Sequence, residues 1–384
     1  MMKKYIKNHE LLEPLNNVPH AFAKFRINAD KHPINIIEEI ALGQSLGAWD
    51  SQHVDIEILR KKIAKIINIE TNNNYHEATV AFPIDIWHRK LSWLMTILFG
   101  KMSFFEGVQL NSVWFSNDCF DNINLIGPKN NINSIRNQVG VNNKDPLLMG
   151  ILKPNVGMSS EKIAFLYVEA AEAGIHLLKD DEIRHDLSPL ESLKRVALVA
   201  NEAQKRNLKT LYAVHLQIEG NKFIEHAKSL ESAGANAFLI NTWITGIEVL
   251  QELRKVTSLP IMSHPALVGA FGIQEENATI HPRVTLAQFI RAAGADFSLF
   301  PSPYGKLGLN KEIALDVAKN CLVNNENWRI NGMTPVPSAG IKPEHAPLAK
   351  KDFSEDFILN AGTGIFSHPN GIQKSIEEFR KELY

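Results

Sequence analysis

The chain is poor in cysteine: its 384 residues include two, Cys119 and Cys321, which lie far apart and form no ligand-spaced pair. A disulfide framework and a cysteine-based zinc site are therefore excluded, and a reducing cytoplasm is the expected compartment. An excess of one charge is also lacking. The 41 basic and 42 acidic residues leave a formal charge of −1, so no global field draws the chain to nucleic acid or to an anionic membrane, although a local anion pocket remains open. Long apolar runs are missing too. The longest, residues 91–99, contains a Ser and a Thr and has about half the length needed to cross a bilayer, which reads as a core helix. The start, Met1-Met2-Lys3-Lys4, is basic, but residues 5–14 hold Lys, Asn, His and Glu where a signal peptide needs an unbroken apolar stretch.

What is present is a globular composition, with 45% hydrophobic and 22% charged residues. The length suits two domains, or one small domain plus a barrel of about 250 residues. The first 140 residues mix patterns. Residues 20–27 alternate like a strand, 34–46 have helical spacing and stop at Gly47, 79–82 form a short strand ending at Pro83, and 108–115 are again strand-like. Residues 87–99 are apolar most of the way round, as in a buried helix ended by Gly100. This is an α+β unit, and the polar, Asn-rich stretch 127–134 is a plausible boundary.

From residue 141 to residue 384 the rhythm changes. Apolar runs at 147–153, 176–181, 210–216, 237–241, 260–264, 296–300, 334–338 and 357–360 each end in polar residues, Gly or Pro, and helical segments mostly follow them. Eight β-then-α units predict an α/β architecture, a TIM (β/α)8 barrel. An open doubly wound sheet is the other arrangement that this periodicity allows. In a barrel the chemistry gathers at the C-terminal strand ends. Those ends carry Lys153; Lys179, Asp181 and Glu182; His215; Asn241; His264; Ser302; Ser338; and Gly362-Thr363-Gly364. On a strand Lys179 and Asp181 share a face, Asp180 points the other way, and Glu182 can curl back. Two carboxylates and a lysine then converge, an oxygen-rich set suited to Mg²⁺. Lys179-Asp180-Asp181-Glu182 can equally be read as a solvated charge run.

Residues Gly150-Ile151-Leu152-Lys153-Pro154-Asn155-Val156-Gly157, followed by Gly174-Ile175-His176-Leu177-Leu178-Lys179-Asp180-Asp181-Glu182, resemble the large-chain family of ribulose bisphosphate carboxylase (RuBisCO). Leu46-Gly47-Ala48-Trp49-Asp50, Phe99-Gly100-Lys101, Ser263-His264-Pro265, Gly305-Lys306-Leu307, Val336-Pro337-Ser338-Ala339-Gly340, Asn360-Ala361-Gly362-Thr363-Gly364 and His368-Pro369-Asn370-Gly371 follow in the family order. The resemblance implies a ferredoxin-like amino-terminal domain before the barrel. It also implies a carbamate formed from CO₂ on Lys179, which would bind one Mg²⁺ per subunit together with Asp181 and Glu182.

The departures from the family argue against carbon fixation. Asn155 replaces a second lysine, Pro265 an arginine, Ile97 an asparagine and Gly43 a glutamate that the carboxylases need. Phe99-Gly100-Lys101, residues 262–266 and 269–271, and Phe297 to Gly305 resemble the enolase branch of RuBisCO-like proteins, which acts on 2,3-diketo-5-methylthiopentyl 1-phosphate in methionine salvage. That likeness makes Lys101 the general base; on the residues alone it reads as a lysine set against a helix C-terminal dipole. Lys101, Lys153, Lys179, Asp180, Asp181, Glu182, His264 and Lys306 would contact the substrate. Its phosphate would meet Ser338, Gly340, Gly362 and Thr363, in keeping with the barrel's phosphate habit. His215 stands where these enolases carry an asparagine, and without the likeness reads as a satisfied polar group. Lys306 occupies a mobile-loop position where they carry a small residue, so a decarboxylase or isomerase of another, branched sugar-acid phosphate is the alternative. A non-catalytic barrel is the third reading. Family architecture further implies a homodimer in which Lys101 serves the partner's site.

Overall fold

The computed structural model describes residues 8–72, 74–122, 125–184, 186, 188–217, 220–272, 279–305, 308–323 and 328–384. The chain divides into two compact units: Met1–Leu125 with Val268–Phe289 and Asn324–Ile330, and Ile126–Leu267 with Ile290–Val323 and Asn331–Tyr384.

The first unit is built on four antiparallel strands, β1 (His20–Asn28), β2 (Lys65–Thr71), β3 (Tyr75–Pro83) and β4 (Val108–Phe115), in the order β2-β3-β1-β4. Helix Pro33–Ser45 lies between β1 and β2 in sequence and helix Leu91–Phe99 between β3 and β4, giving the β-α-β-β-α-β order of a ferredoxin-like domain. Strand β1 shows the period of two that builds it. Ala21, Ala23, Phe25 and Ile27 are wholly buried, while Lys24 and Arg26 on the opposite face reach Glu77 of β3. Helix Pro33–Ser45 buries Ile37, Ile40 and Ala41, an i, i+3, i+4 stripe. Truncating Phe25 to Ala would cost about 3–5 kcal/mol, more than an exposed ion pair of this sheet supplies.

Two details differ from the sequence reading. Strand β2 was not anticipated, because a register shift between Ile66 and Asn68 breaks its alternation and exposes Ile67 at the edge of the sheet. The helix expected over 87–99 begins at Leu91. His88 and Arg89 take left-handed backbone conformations, and Trp87 ends the separate short turn Ile84–Trp87.

The second unit is the TIM barrel. All eight expected strands form: β5 (Leu147–Ile151), β6 (Leu177–Lys179), β7 (Leu211–His215), β8 (Ala237–Ile240), β9 (Ile261–Ser263), β10 (Phe297–Pro301), β11 (Thr334–Ser338) and β12 (Ile358–Ala361). They pair in parallel, in the order β11-β10-β9-β8-β7-β6-β5-β12. Because β12 returns to pair with β5, the sheet curls round on itself. A side-chain bond spans the remaining seam between β11 and β12, Asn360 Nδ2 donating to Ser338 Oγ at 2.8 Å. Leu147, Met149, Leu177, Leu211, Leu239, Met262, Phe297 and Val336 share one buried core with Ile132 and Ile135 of helix Ile132–Val139. The interior is a packed core, not a pore, which leaves the loops at the C-terminal strand ends to form the site. Helix Ser160–Glu172, capped by Ser159 Oγ on the Lys162 N–H, illustrates the β-then-α return, as does Pro189–Arg206 after β6.

Candidate active site

Strand β6 ends on Lys179, and its direction decides which side chains meet. Lys179 is wholly buried; its Nζ donates to the Asp180 carbonyl at 3.0 Å and lies 3.5 Å from Glu182 Oε2. Asp181 is buried and receives Lys153 Nζ, from the end of β5, at 2.9 Å. His264, just past β9, places Nε2 at 3.3 Å from Glu182 Oε2. The Ala266 N–H donates to His264 Nδ1, so the ring proton sits on Nε2 and points at the carboxylate. Lys153, Lys179, Asp181, Glu182 and His264 thus form one cluster, drawn from the ends of β5, β6 and β9.

The electrostatics follow from burial and from these contacts. Burial holds the Lys179 ammonium below the ordinary lysine range, against the pull of Glu182 and Asp181. For Lys153 burial acts the same way, but the Asp181 hydrogen bond and charge outweigh it and raise the value. Burial opposes the charge on Glu182, yet the His264 hydrogen bond and the Lys179 charge hold its carboxyl well below the usual range. Burial lowers His264, leaving it neutral.

Asp180, grouped with the substrate-binding residues on the sequence, faces away from this cluster. It is fully buried, and its oxygens accept from Tyr212 Oη at 2.6 Å, Asn155 Nδ2 at 3.1 Å, the His215 N–H at 3.1 Å and Arg195 Nη2 at 3.2 Å. Strand alternation turns it into the wall behind the site, where every contact is internal. Arg195 also grips Asp186 through Nη1 at 2.7 Å and Nη2 at 2.9 Å. This supporting layer escaped sequence reasoning, although one signal was visible: Arg195 falls in the buried stripe Ser192, Arg195, Val196, Val199 of its helix.

The loops after β11 and β12 pack tightly. Ala339 and Gly340 both have positive φ, and a Cβ on Gly364 would meet the Ile341 carbonyl oxygen at 2.3 Å, so only glycine fits there. Gly362 lies against Lys153, whose Cδ would stand 3.3 Å from an added Cβ. Gly340, Lys342, Thr363, Gly364 and His368 line a cleft of about 530 Å³. Ser338 Oγ is engaged by Asn360. Lys101 belongs to the other unit. It follows Gly100, is exposed, and its Nζ would lie 3.8 Å from a Cβ on Gly43. Lys306 lies outside the described residues.

The family profile "Ribulose bisphosphate carboxylase large chain, catalytic domain" matches residues 131–383. The chain belongs to the RuBisCO large-chain family. Within this family it is 34% identical over 382 residues to a 2,3-diketo-5-methylthiopentyl-1-phosphate enolase of Bacillus cereus, covering 94% of this chain and 91% of the relative. To the protein of the same name from Geobacillus thermodenitrificans it is 35% identical over 381 residues, with the same coverage. Among solved structures, a RuBisCO-like protein from Alicyclobacillus acidocaldarius superposes with a TM-score of 0.83 at 28% identity, covering 95% of this chain and 93% of that one. The Pyrococcus horikoshii RuBisCO shares the fold, with a TM-score of 0.85 at 23% identity over 95% of this chain and 87% of its own. Among the described residues no helix is long and apolar enough to cross a membrane.

Proposed function

We propose that this family member is a Mg²⁺-dependent enolase, a keto–enol tautomerase acting on 2,3-diketo-5-methylthiopentyl 1-phosphate in methionine salvage, in the cytoplasm. The observation that carries the reading is Lys179, a wholly buried amine beside the carboxylates of Asp181 and Glu182 at a barrel mouth. The names of its relatives support the substrate.

The residues fit the metal. Among the described residues no three His, Cys, Asp or Glu side chains cluster to hold an ion, so Asp181 and Glu182 need a further donor. A carbamate on Lys179 is the group that would provide it. Burial favours the neutral amine that takes up CO₂, and the resulting all-oxygen set suits Mg²⁺. Bound there, Mg²⁺ would supply Lewis acidity toward the two keto oxygens and the charge that grows on them.

The remaining steps belong to the chain. Backbone N–H groups at Gly340, Gly362 and Thr363, with Ser338 beside them, would hold the phosphate, and Lys153 would donate to a substrate oxygen. Lys101 would take a proton from C1. The C–H pair becomes the C1=C2 bond, the C2 carbonyl pair moves onto its oxygen, and protonation of that oxygen gives the enol. Lys101 would act on the site of a second subunit in a homodimer.

The reading is tested by following exchange of the C1 hydrogen into deuterated water, with Mg²⁺ and bicarbonate present or omitted. Exchange without CO₂ release, dependent on both additions, is expected. Release of CO₂ from a branched keto-acid phosphate, with no exchange on the diketone, would replace this reading with a decarboxylase. Mixing Lys101→Ala with Lys179→Ala protein should restore activity if sites are shared, and should not if each subunit is self-contained.

A further inference from the structure

The loops after β5 and β6 carry Lys153 and the Asp181–Glu182 pair, and no ladder holds one loop to the other. Besides the Lys153–Asp181 pair and the Asn155–Asp180 bond, a further side chain bridges them. Arg184, two residues beyond Glu182 and 9% exposed, turns its guanidinium back over the β5 loop. Its Nη1 donates to the Asn155 carbonyl at 2.9 Å, to Asn155 Oδ1 at 2.8 Å and to the Met158 carbonyl at 3.2 Å, while Nε donates to Asp186 at 3.0 Å. Its backbone is held as firmly. The Arg184 N–H donates to the Asp181 carbonyl at 3.1 Å, and the Arg184 carbonyl faces His215 Nδ1 at 3.1 Å.

That last contact fixes a tautomer. A carbonyl can only accept, so the His215 proton sits on Nδ1, and Nε2 is left to accept from Asn241 Nδ2 at 3.2 Å. Asn155, Arg184, His215 and Asn241 therefore form a hydrogen-bonded arc across the C-terminal ends of four consecutive strands, β5 to β8. Asp180 braces it from behind through Asn155 Nδ2 and the His215 N–H.

We propose that Arg184 is a positioning residue that clamps the Lys153 loop to the Asp181–Glu182 loop, acting through Asn155 and Met158. The role assigned to those loops rests on the functional reading above; the clamp itself does not. The fork shape of the guanidinium matters, because one rigid group satisfies Asn155, Met158 and Asp186 together, and a lysine ammonium on a flexible stem does not. Partners of this kind behind metal ligands typically set about 10–100-fold in metal affinity.

The test compares wild type, Arg184→Gln and Arg184→Lys by three measurements. Amide exchange over residues 153–158 in metal-free protein should accelerate about tenfold in both variants as the loop opens locally. The Mg²⁺ concentration at half-maximal thermal shift, measured with bicarbonate, should rise about 10–100-fold. In turnover, KM should rise with the misplaced Lys153 even when saturating Mg²⁺ restores most of kcat. Unchanged exchange and an unchanged Mg²⁺ midpoint in folded Arg184→Gln would overturn the clamp, and so would full recovery in Arg184→Lys, which would reduce the residue to a charge. Should Arg184→Gln fail to fold, Asn155→Ala removes the side-chain acceptor from the other loop and is read by the same exchange. A wild type that shows no Mg²⁺ shift would sink the functional reading and leave the exchange result standing.

Discussion

Two buried charge clusters sit at opposite ends of the same barrel strands, and they are finished to different degrees. At the N-terminal end Asp296, just before β10, accepts from the N–H groups of Lys129, Asn130 and Ile261 and from Arg254 Nη1, all at 2.7–2.8 Å. Arg254 Nη2 in turn donates to the carbonyls of Thr257 and Leu259. At the C-terminal end Lys179, equally buried, makes one hydrogen bond to a carbonyl and a long 3.5 Å contact to Glu182. Asp296 has its acceptor capacity taken up by four donors and Arg254 leaves only Nε unpartnered, whereas an amine with a single good acceptor is held out of water for another purpose. Within one fold, completeness of hydrogen bonding separates scaffold from chemistry, in line with the division of a barrel into a stabilising and a catalytic face.

Substitutions at the two ends should therefore have opposite effects. The largest is expected at Lys179. Lys179→Met should lower kcat/KM on the order of 10³-fold or more, while the melting temperature holds or rises, because an apolar side chain replaces a buried polar amine with a single good hydrogen bond. A coincident loss of stability would erase the contrast. Asp296→Ala should do the reverse. It strands Arg254 in the interior at a cost of about 3–5 kcal/mol in urea unfolding, with the turnover of the folded fraction unchanged.

A smaller effect is expected from His176, which immediately precedes β6 at the stabilising end. Its Nδ1 accepts from the Leu148 N–H at 3.0 Å, and burial, helped by Arg380, lowers its pKa to about 4. The unfolded value is about 6.5, so the unfolded chain binds more protons between these limits and stability falls as pH drops through that window. The loss is on the order of 3 kcal/mol, and His176→Asn should flatten the slope. Equal slopes in both proteins would show that the ring does not titrate with folding. The smallest change is expected at the seam: Ser338→Ala removes the bridge from β11 to β12 and should cost about 1 kcal/mol, read as a small drop in denaturation midpoint.

The same two ends explain what could be read from the chain. The eight barrel strands were legible because each apolar run stops at polar or turn residues, and Lys153, Lys179, Asp181, Glu182 and His264 were legible because they stand at those stops. Strand β2 was not, since its bulge removes the period of two on which recognition depends. The break at His88 was hidden for another reason: it carries two consecutive left-handed residues, His88 and Arg89, with no glycine to mark them. Of the supporting layer only the burial of Arg195 left a trace in its helix. Its pairing with Tyr212 and Asp180, and through Asp186 with Arg184, was out of reach because the partners come from different elements, and spacing along one element says nothing about which loops face each other. Asp180 shows the limit most plainly. Alternation correctly turned it away from the cluster, and its place beside two ligand candidates still drew it into the substrate-binding set.

The composition of the first unit has a consequence for synthesis. It takes in Val268–Phe289 and Asn324–Ile330 from far along the chain. Within it, Gln288 Oε1 accepts from the Val113 N–H at 2.8 Å, and Ile280 bridges to Leu110 beside it. A nascent chain that has released β1 to β4 from the ribosome therefore cannot complete this unit. The strands can pair among themselves, but β4 gains its contacts with Ile280 and Gln288 only after residue 288 emerges, roughly 9–35 s later at ordinary elongation rates. During that interval β4 lacks its later partners, so the interval should be when the growing chain most needs a chaperone.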